Sequence, residues 1–323
     1  MSALGGRLTG LTGAAGIRRR SRPVVVDEAE ERRLLDLGGG LIRSRTRGVL
    51  RLVAYLSLTL ALLPLQALAV TFGLRLAERL PRFYHRLCTR ILGFDVVVRG
   101  ERLGETSAGR PVLLVCNHVS YLDITILGSI VTGCFVAKAE VANWPGFGLL
   151  AKLQRTVFVE RRRSAVARHG DAIAERLRAG DNLILFAEGT SSDGTRVLPF
   201  KSGLLAAAEC EVAGRPLRVQ PVSIAYTRLN GMPLGRGLRP FLAWYGDMDL
   251  LPHLWEVVAL GRITVVVEFH APTSLAEAGS RKALAGTCHD RVAAGVARAN
   301  SGRPSETPPE LPAQPPIRDA EPA

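Results

Sequence analysis

The chain has 323 residues, 47% of them hydrophobic, and a formal net charge of +13. That length suits one domain plus extensions, and the charge suits polyanionic partners, either nucleic acid or anionic lipid headgroups. Aromatic residues make up only 6% and no basic run is interleaved with stacking rings, which argues against a nucleic-acid binder; the five scattered cysteines form no CxxC pair, which argues against a disulfide framework or a metal site and fits a reducing compartment.

Residues 1–48 are rich in Gly, Arg and acidic side chains and lack apolar periodicity, which predicts a disordered or surface-associated basic segment. Arg18, Arg19, Arg20, Arg43, Arg45 and Arg47 suit either anionic headgroups or a solvated tail. Residues 49–92 read as membrane-anchoring helices. Leu52 to Leu74 holds no charged residue, and at 1.5 Å per residue a helix of that length extends about 35 Å, enough to cross a bilayer core. Pro64 within it predicts a kink or a break. Next come Arg75, Arg79, Arg82, Arg86 and Arg90, with Leu76, Leu80, Phe83, Leu87 and Ile91 one step along. That is the pattern of a basic amphipathic helix at a lipid surface, with Pro81 marking a second start; its alternative is a helix packed on its own domain. Arginines flank both sides of the apolar run, so a simple span and a re-entrant hairpin both stay open.

From Phe94 the pattern becomes globular. Short β-branched runs at 94–98, 111–116, 132–136, 156–159, 182–187, 218–224 and 262–269 alternate with helix-like stretches that include 120–131, 164–179 and 201–213. This predicts an α/β domain over 93–298, a mixed, mainly parallel sheet with helices on its faces. Residues 299–323 hold many prolines and read as a disordered tail.

Four constellations carry chemistry. In the first, an apolar strand runs into Asn117-His118, and Asp123 follows in the first turn of an apolar helix. A strand end is the usual ligand position in α/β sheets. On a regular helix His118 and Asp123 would point about 140° apart; a turn between them lets Asp123 hold one ring nitrogen, leaving the other to take a proton from an attacking hydroxyl. In the second, Val157–Val159 leads to Arg161, Arg162 and Arg163, guanidiniums suited to phosphate or carboxylate. In the third, Leu183–Phe186 delivers Glu188 and Gly189 to a polar loop, where glycine lets backbone N–H groups approach a ligand, and Lys201 adds a positive charge. The fourth, Val219-Gln220-Pro221-Val222, predicts an edge strand, a bulge or a site wall.

Together these resemble the glycerophospholipid acyltransferase family typified by lysophosphatidic acid acyltransferase, with NH-x4-D, a strand ending in arginine, FPEGTR and a proline-containing strand in that order. The likeness spans roughly Phe94 to His270, and Gly146-Phe147-Gly148 resembles the segment between the first two motifs. It implies His118 as general base, Asp123 as its orienter, and Arg161 on the acceptor's anionic head. Glu188, Gly189, Thr190, Lys201 and Pro221 would complete the substrate site. The donor would be acyl-ACP or acyl-CoA and the acceptor a lyso-lipid, with no cofactor and no metal. The enzyme would be membrane-associated, its site facing the cytoplasm. Three positions depart from the pattern: Arg155 replaces a glycine, Ala187 the proline of FPEGT and Ser191 the arginine of EGTR. This loop looks like the lyso-ornithine lipid acyltransferase branch, whose acceptor carries a carboxylate and an amine. The competing classes are a non-catalytic lipid-binding protein and a lipid esterase; the latter lacks G-x-S-x-G.

Overall fold

The computed structural model describes residues 43–103, 110–159 and 173–301. Arg18, Arg19, Arg20, Arg161, most of the helix expected at 164–179 and the proline-rich tail lie outside the described residues. All seven expected strands form: β1 (Phe94–Arg99), β2 (Val112–Cys116), β3 (Cys134–Lys138), β4 (Val157–Val159), β5 (Leu183–Phe186), β6 (Arg218–Leu229) and, after the two-residue strand β7 (Met232–Pro233), β8 (Ile263–Phe269). They build one eight-stranded sheet in the order β1-β8-β6-β2-β5-β3-β4, with β7 on β6. The strands from β6 to β4 run parallel, while β8 and β1 run the other way.

Strands covered on both faces read as continuous apolar runs, and every residue of β2 is buried. Leu113 and Val115 join the core under a long C-terminal helix (Arg281–Ser301), with Leu183, Leu185, Leu284 and Val292. Leu114 and Cys116 join the opposite core with Leu122, Ile126 and Val257. A one-residue register slip would exchange the two sets.

Ahead of the sheet lie helices α1 (Arg45–Thr71) and α2 (Leu76–Leu92). The break expected at Pro64 and the second start expected at Pro81 are both absent, because each helix runs through its proline. A mid-helix proline leaves the carbonyl four residues back without its donor. For Pro81 that carbonyl is Ala77 O, and the side-chain amide of Gln66 in α1 donates to it at 3.1 Å and to Leu153 O at 2.7 Å. One polar residue in an apolar helix thus ties α1 to α2 and to the helix Phe147–Leu153.

The arginines of this region also differ from the headgroup reading. Arg47 donates to Ala259 O and Arg51 to Leu260 O and Val258 O, at the carbonyl end of the helix Leu250–Ala259, and Arg43 pairs with Glu256 at 2.7 Å. A helix C-terminus presents unpaired carbonyls that favour such cations. In α2, Arg86 donates to Ser129 O, and the buried stripe is Ala77, Leu80, Pro81, His85, Cys88, Thr89 and Leu92. α2 therefore packs on its own domain along that stripe, with Leu76 and Phe83 left exposed.

Candidate active site

Helix α3 (Leu122–Ile130) follows β2 after a turn at residues 117–121, and this turn assembles the site. Asn117 is buried and locks the turn's start: its side-chain amide donates to Ile224 O at 3.0 Å and accepts from Ile224 N at 2.8 Å. Asp123 is fully buried in the first turn of α3. Its Oδ2 meets His118 Nδ1 at 2.8 Å and accepts Val119 N–H at 2.7 Å and Ser120 N–H at 3.0 Å. The turn does what the spacing required: two side chains that a helix would splay apart are in contact.

Asp123 can only accept, so Nδ1 carries the hydrogen and Nε2 holds the free lone pair. The His118 side chain is 21% exposed and stacks on Phe186 with ring centres 4.0 Å apart. Phe186 in turn stacks on Phe135 at 6.2 Å. An oriented, accessible imidazole beside a buried carboxylate is equipped for proton abstraction. No serine hydroxyl is paired with the ring among the described residues, which leaves an incoming hydroxyl as the nucleophile.

The β5 loop reaches the same sheet edge, since β2 and β5 are parallel neighbours. Glu188 is buried, and both carboxylate oxygens are engaged by main chain: Oε1 accepts His118 N–H at 2.8 Å and Oε2 accepts Leu198 N–H at 2.9 Å. It is a clamp on the backbone of His118. Ser192 adds a second clamp, its N–H donating to His118 O at 2.9 Å. Gly189 adopts φ +68, and a Cβ there would come within 3.1 Å of Lys201 Nζ, so the glycine makes room for the lysine. Thr190 and Lys201 are exposed beside the site. Arg161 lies outside the described residues, but the strand preceding it, β4, runs parallel to β3 and ends at this edge.

Pro221 sits differently from the expected edge or break. It lies inside the unbroken β6, buried, opposite Val115 of β2. Its carbonyl accepts His270 N–H at 2.9 Å, and the His270 carbonyl, which a proline nitrogen cannot serve, accepts instead from the side-chain amide of Gln220 at 3.1 Å. Arg155 adopts φ +63, the conformation that makes glycine usual before this strand. Its guanidinium pairs with Asp181 at 2.7 Å.

Two features were not singled out from sequence. Tyr226 on β6 donates its hydroxyl to Asp123 Oδ1 at 2.7 Å. And an apolar cavity lies between α1, α2 and the domain, lined among others by Leu62, Leu80, Tyr121, Leu122, Phe135 and Leu150.

Burial pushes the Glu188 carboxyl up to about 7, against the pull of its two N–H donors. A carboxyl raised above its ordinary value of 4.5 keeps its proton in the fold over a range where the unfolded chain has lost it. Its contribution to stability is therefore full below about 4.5, declines as pH rises toward about 7, and is constant above. Glu188→Gln removes this slope and sets an amide NH2 against one of the two N–H donors, at a cost of roughly 1–3 kcal/mol. Denaturant unfolding of both forms at pH 5 and pH 8 should show a larger deficit for the glutamine variant at pH 5; an equal deficit at both would refute the titration.

The acyltransferase family model matches residues 95–225. A lyso-ornithine lipid O-acyltransferase of Brucella abortus is 45% identical over 254 residues, covering 77% of this chain and 94% of the relative. A second protein of that name, from Rhizobium meliloti, is 41% identical over 72% of this chain and 80% of its own length. Among solved structures, the 1-acyl-sn-glycerophosphate acyltransferase of Thermotoga maritima superposes with a TM-score of 0.55 at 25% identity, covering 81% of this chain and all of that one.

Proposed function

Because the chain belongs to the glycerophospholipid acyltransferase family, we propose that this acyltransferase of lyso-lipids moves a fatty acyl group from a carrier thioester, acyl-ACP or acyl-CoA, to the hydroxyl of lyso-ornithine lipid at a membrane surface. The observation that carries the reading is the Nδ1–Asp123 contact, which aims Nε2 of His118 outward, beside rings that lead through Phe186 to Phe135 on the wall of an apolar cavity. Such a cavity suits a hydrocarbon chain, at about 0.8 kcal/mol per buried methylene.

In this reading the acceptor hydroxyl gives its proton to His118 Nε2 as its oxygen bonds to the thioester carbonyl carbon. The tetrahedral intermediate then breaks its C–S bond. The imidazolium returns the proton to the departing thiolate, leaving an ester and a free carrier thiol. Arg161, Lys201 and the loop at Gly189 and Thr190 bind the acceptor's anionic head. Pro221 supports the site from the sheet. No metal or prosthetic group is called for, because the base is an imidazole and the electrophile a thioester.

Membrane attachment rests on α1. Its outer face exposes Val49, Leu50, Val53, Leu56, Leu60, Leu65, Leu68 and Phe72. Its inner face is tied to the rest of the fold at three places, by Arg47 and Arg51 near one end, Thr59 against Tyr84 midway and Gln66 near the other. A helix tied at both ends and midway to a folded domain favours embedding in one leaflet over crossing two. The site then faces the cytoplasm, where carrier thioesters are found.

Ser191 supports lyso-ornithine lipid over lysophosphatidic acid. A phosphate dianion is best held by several cationic or N–H donors, and the family's second arginine is missing here. Paired kinetics with the two acceptors and one acyl-ACP should show Ser191→Arg raising activity on lysophosphatidic acid relative to lyso-ornithine lipid. A strong wild-type preference for lysophosphatidic acid, unchanged by the substitution, would overturn the acceptor while sparing the chemistry.

A further inference from the structure

We propose that Tyr226 is a positioning residue of the acyl transfer, acting through Asp123 on the aim and basicity of His118; this rests on reading His118 as the base. The argument starts from who holds Asp123. Three of its four donors come from its own turn: His118 Nδ1, Val119 N–H and Ser120 N–H, all on Oδ2. Among the described residues, Oδ1 has one donor, the Tyr226 hydroxyl at 2.7 Å. That bond comes from β6, on the far side of β2 from β5, and is buried at both ends.

The same strand grips the turn a second time. Ile224, two residues before Tyr226, exchanges both backbone bonds with the Asn117 side chain. β6 therefore fixes the turn at its beginning through Ile224 and at its end through Tyr226, with His118 between. Tyr226 is well placed to act as a fixed post. It is buried, packs edge-on against Phe94 with ring centres 6.4 Å apart, and faces Val265 of β8 in register. Its ring cannot turn away without emptying the core around Ile224, Val265 and Leu242.

A hydroxyl donated to one carboxylate oxygen does two things. It fixes the carboxylate plane, so that Oδ2 points at His118 Nδ1. It also draws negative charge toward Oδ1, weakening the field that favours the imidazolium. Burial holds the phenol far above its ordinary range, so it remains a donor throughout. The other titratable groups around the pair are Glu188, Asp193, Cys116, Tyr121 and, behind Tyr121, His253. None of these donates a side-chain hydrogen bond to Asp123 among the described residues.

The test uses the full chain in detergent micelles, with palmitoyl-ACP and whichever of lyso-ornithine lipid or 1-acyl-sn-glycerol-3-phosphate the wild type turns over. Tyr226→Phe should lower kcat roughly tenfold, with KM for the acceptor nearly unchanged, as expected for losing one hydrogen bond to a charged group. The acid limb of its pH–rate profile should move to higher pH, because the unshared carboxylate charge holds the imidazolium proton longer. In an Asp123→Asn background the same substitution should produce no further shift, since the path through the charge is gone. If Tyr226→Phe folds poorly, 3-fluorotyrosine at 226 keeps the shape and strengthens the donor, and should move the limb to lower pH. A hydroxyl that only stabilises the fold would lower Tm and leave the limb in place. A wild-type limb and kcat in these variants, while His118→Ala is inactive, overturns the role of Tyr226 alone; an active His118→Ala overturns the base assignment and the proposal together.

Discussion

Replacing His118 by alanine is expected to lower acyl transfer by roughly 10²–10⁴-fold, the usual contribution of a positioned general base, while leaving the fold and membrane attachment intact. The fold survives because the backbone at 118 is held independently of its side chain. Its N–H donates to Glu188 and its carbonyl accepts from Ser192. The ring itself stacks on Phe186 but is partly exposed, so its removal opens no sealed cavity. KM for the acceptor should change little, because in this reading headgroup binding belongs to Arg161, Lys201 and the loop at Gly189. Single-turnover transfer from palmitoyl-ACP, beside a thermal melt and a membrane-fractionation assay, checks all three statements. Near-normal turnover by a folded variant would remove His118 from the mechanism.

How much of this was readable beforehand depends on which contacts are local. The strands of the sheet were legible because covered strands are short, β-branched and apolar. The His118–Asp123 pair was legible because five residues and a turn contain it. Glu188 was found but its duty was not, since its partners, the N–H groups of His118 and Leu198, are main chain and carry no signal in side-chain identity. Tyr226 was missed for a related reason. Alternation along β6 puts Val222, Ile224 and Tyr226 in one core, which reads as packing; that one hydroxyl meets Asp123, 103 residues away, is a fact of topology. The stretch at 201–213 looked helical from its alanines. It forms a 3-10 turn, Ser202–Glu209, then a ribbon that pairs Glu211–Val212 with Arg215–Pro216. Ala213 and Gly214 both have positive φ there, the geometry of a tight hairpin turn that alanine rarely signals. The helix Arg281–Ser301 was not anticipated because half its buried stripe (Ala285, Cys288 and Gly295) is small.

Asp123→Asn should be nearly as damaging as loss of the base, and the structure says how. The Oδ2 position is surrounded by three donors, the Nδ1 hydrogen of His118 and the N–H groups of Val119 and Ser120. An amide nitrogen placed there would oppose all three, so the asparagine must settle with its oxygen at Oδ2 and its NH2 toward the Tyr226 hydroxyl, which can accept. The ring therefore keeps its tautomer and its aim, and what is lost is the negative charge behind it. Turnover should fall by roughly 10²–10³-fold, less than when a triad aspartate is replaced and the tautomer changes as well. Without the carboxylate the imidazolium gives up its proton more readily, so the acid limb of the pH–rate profile should move to lower pH. Tyr226→Phe, which leaves the charge in place and unshared, should move it the other way. Two substitutions on opposite sides of one carboxylate, both lowering kcat yet displacing the limb in opposite directions, would locate the effect in the field of Asp123. Shifts of the same sign, or an Asp123→Asn variant with wild-type kcat and pH dependence, would show that the carboxylate does no more than close the turn.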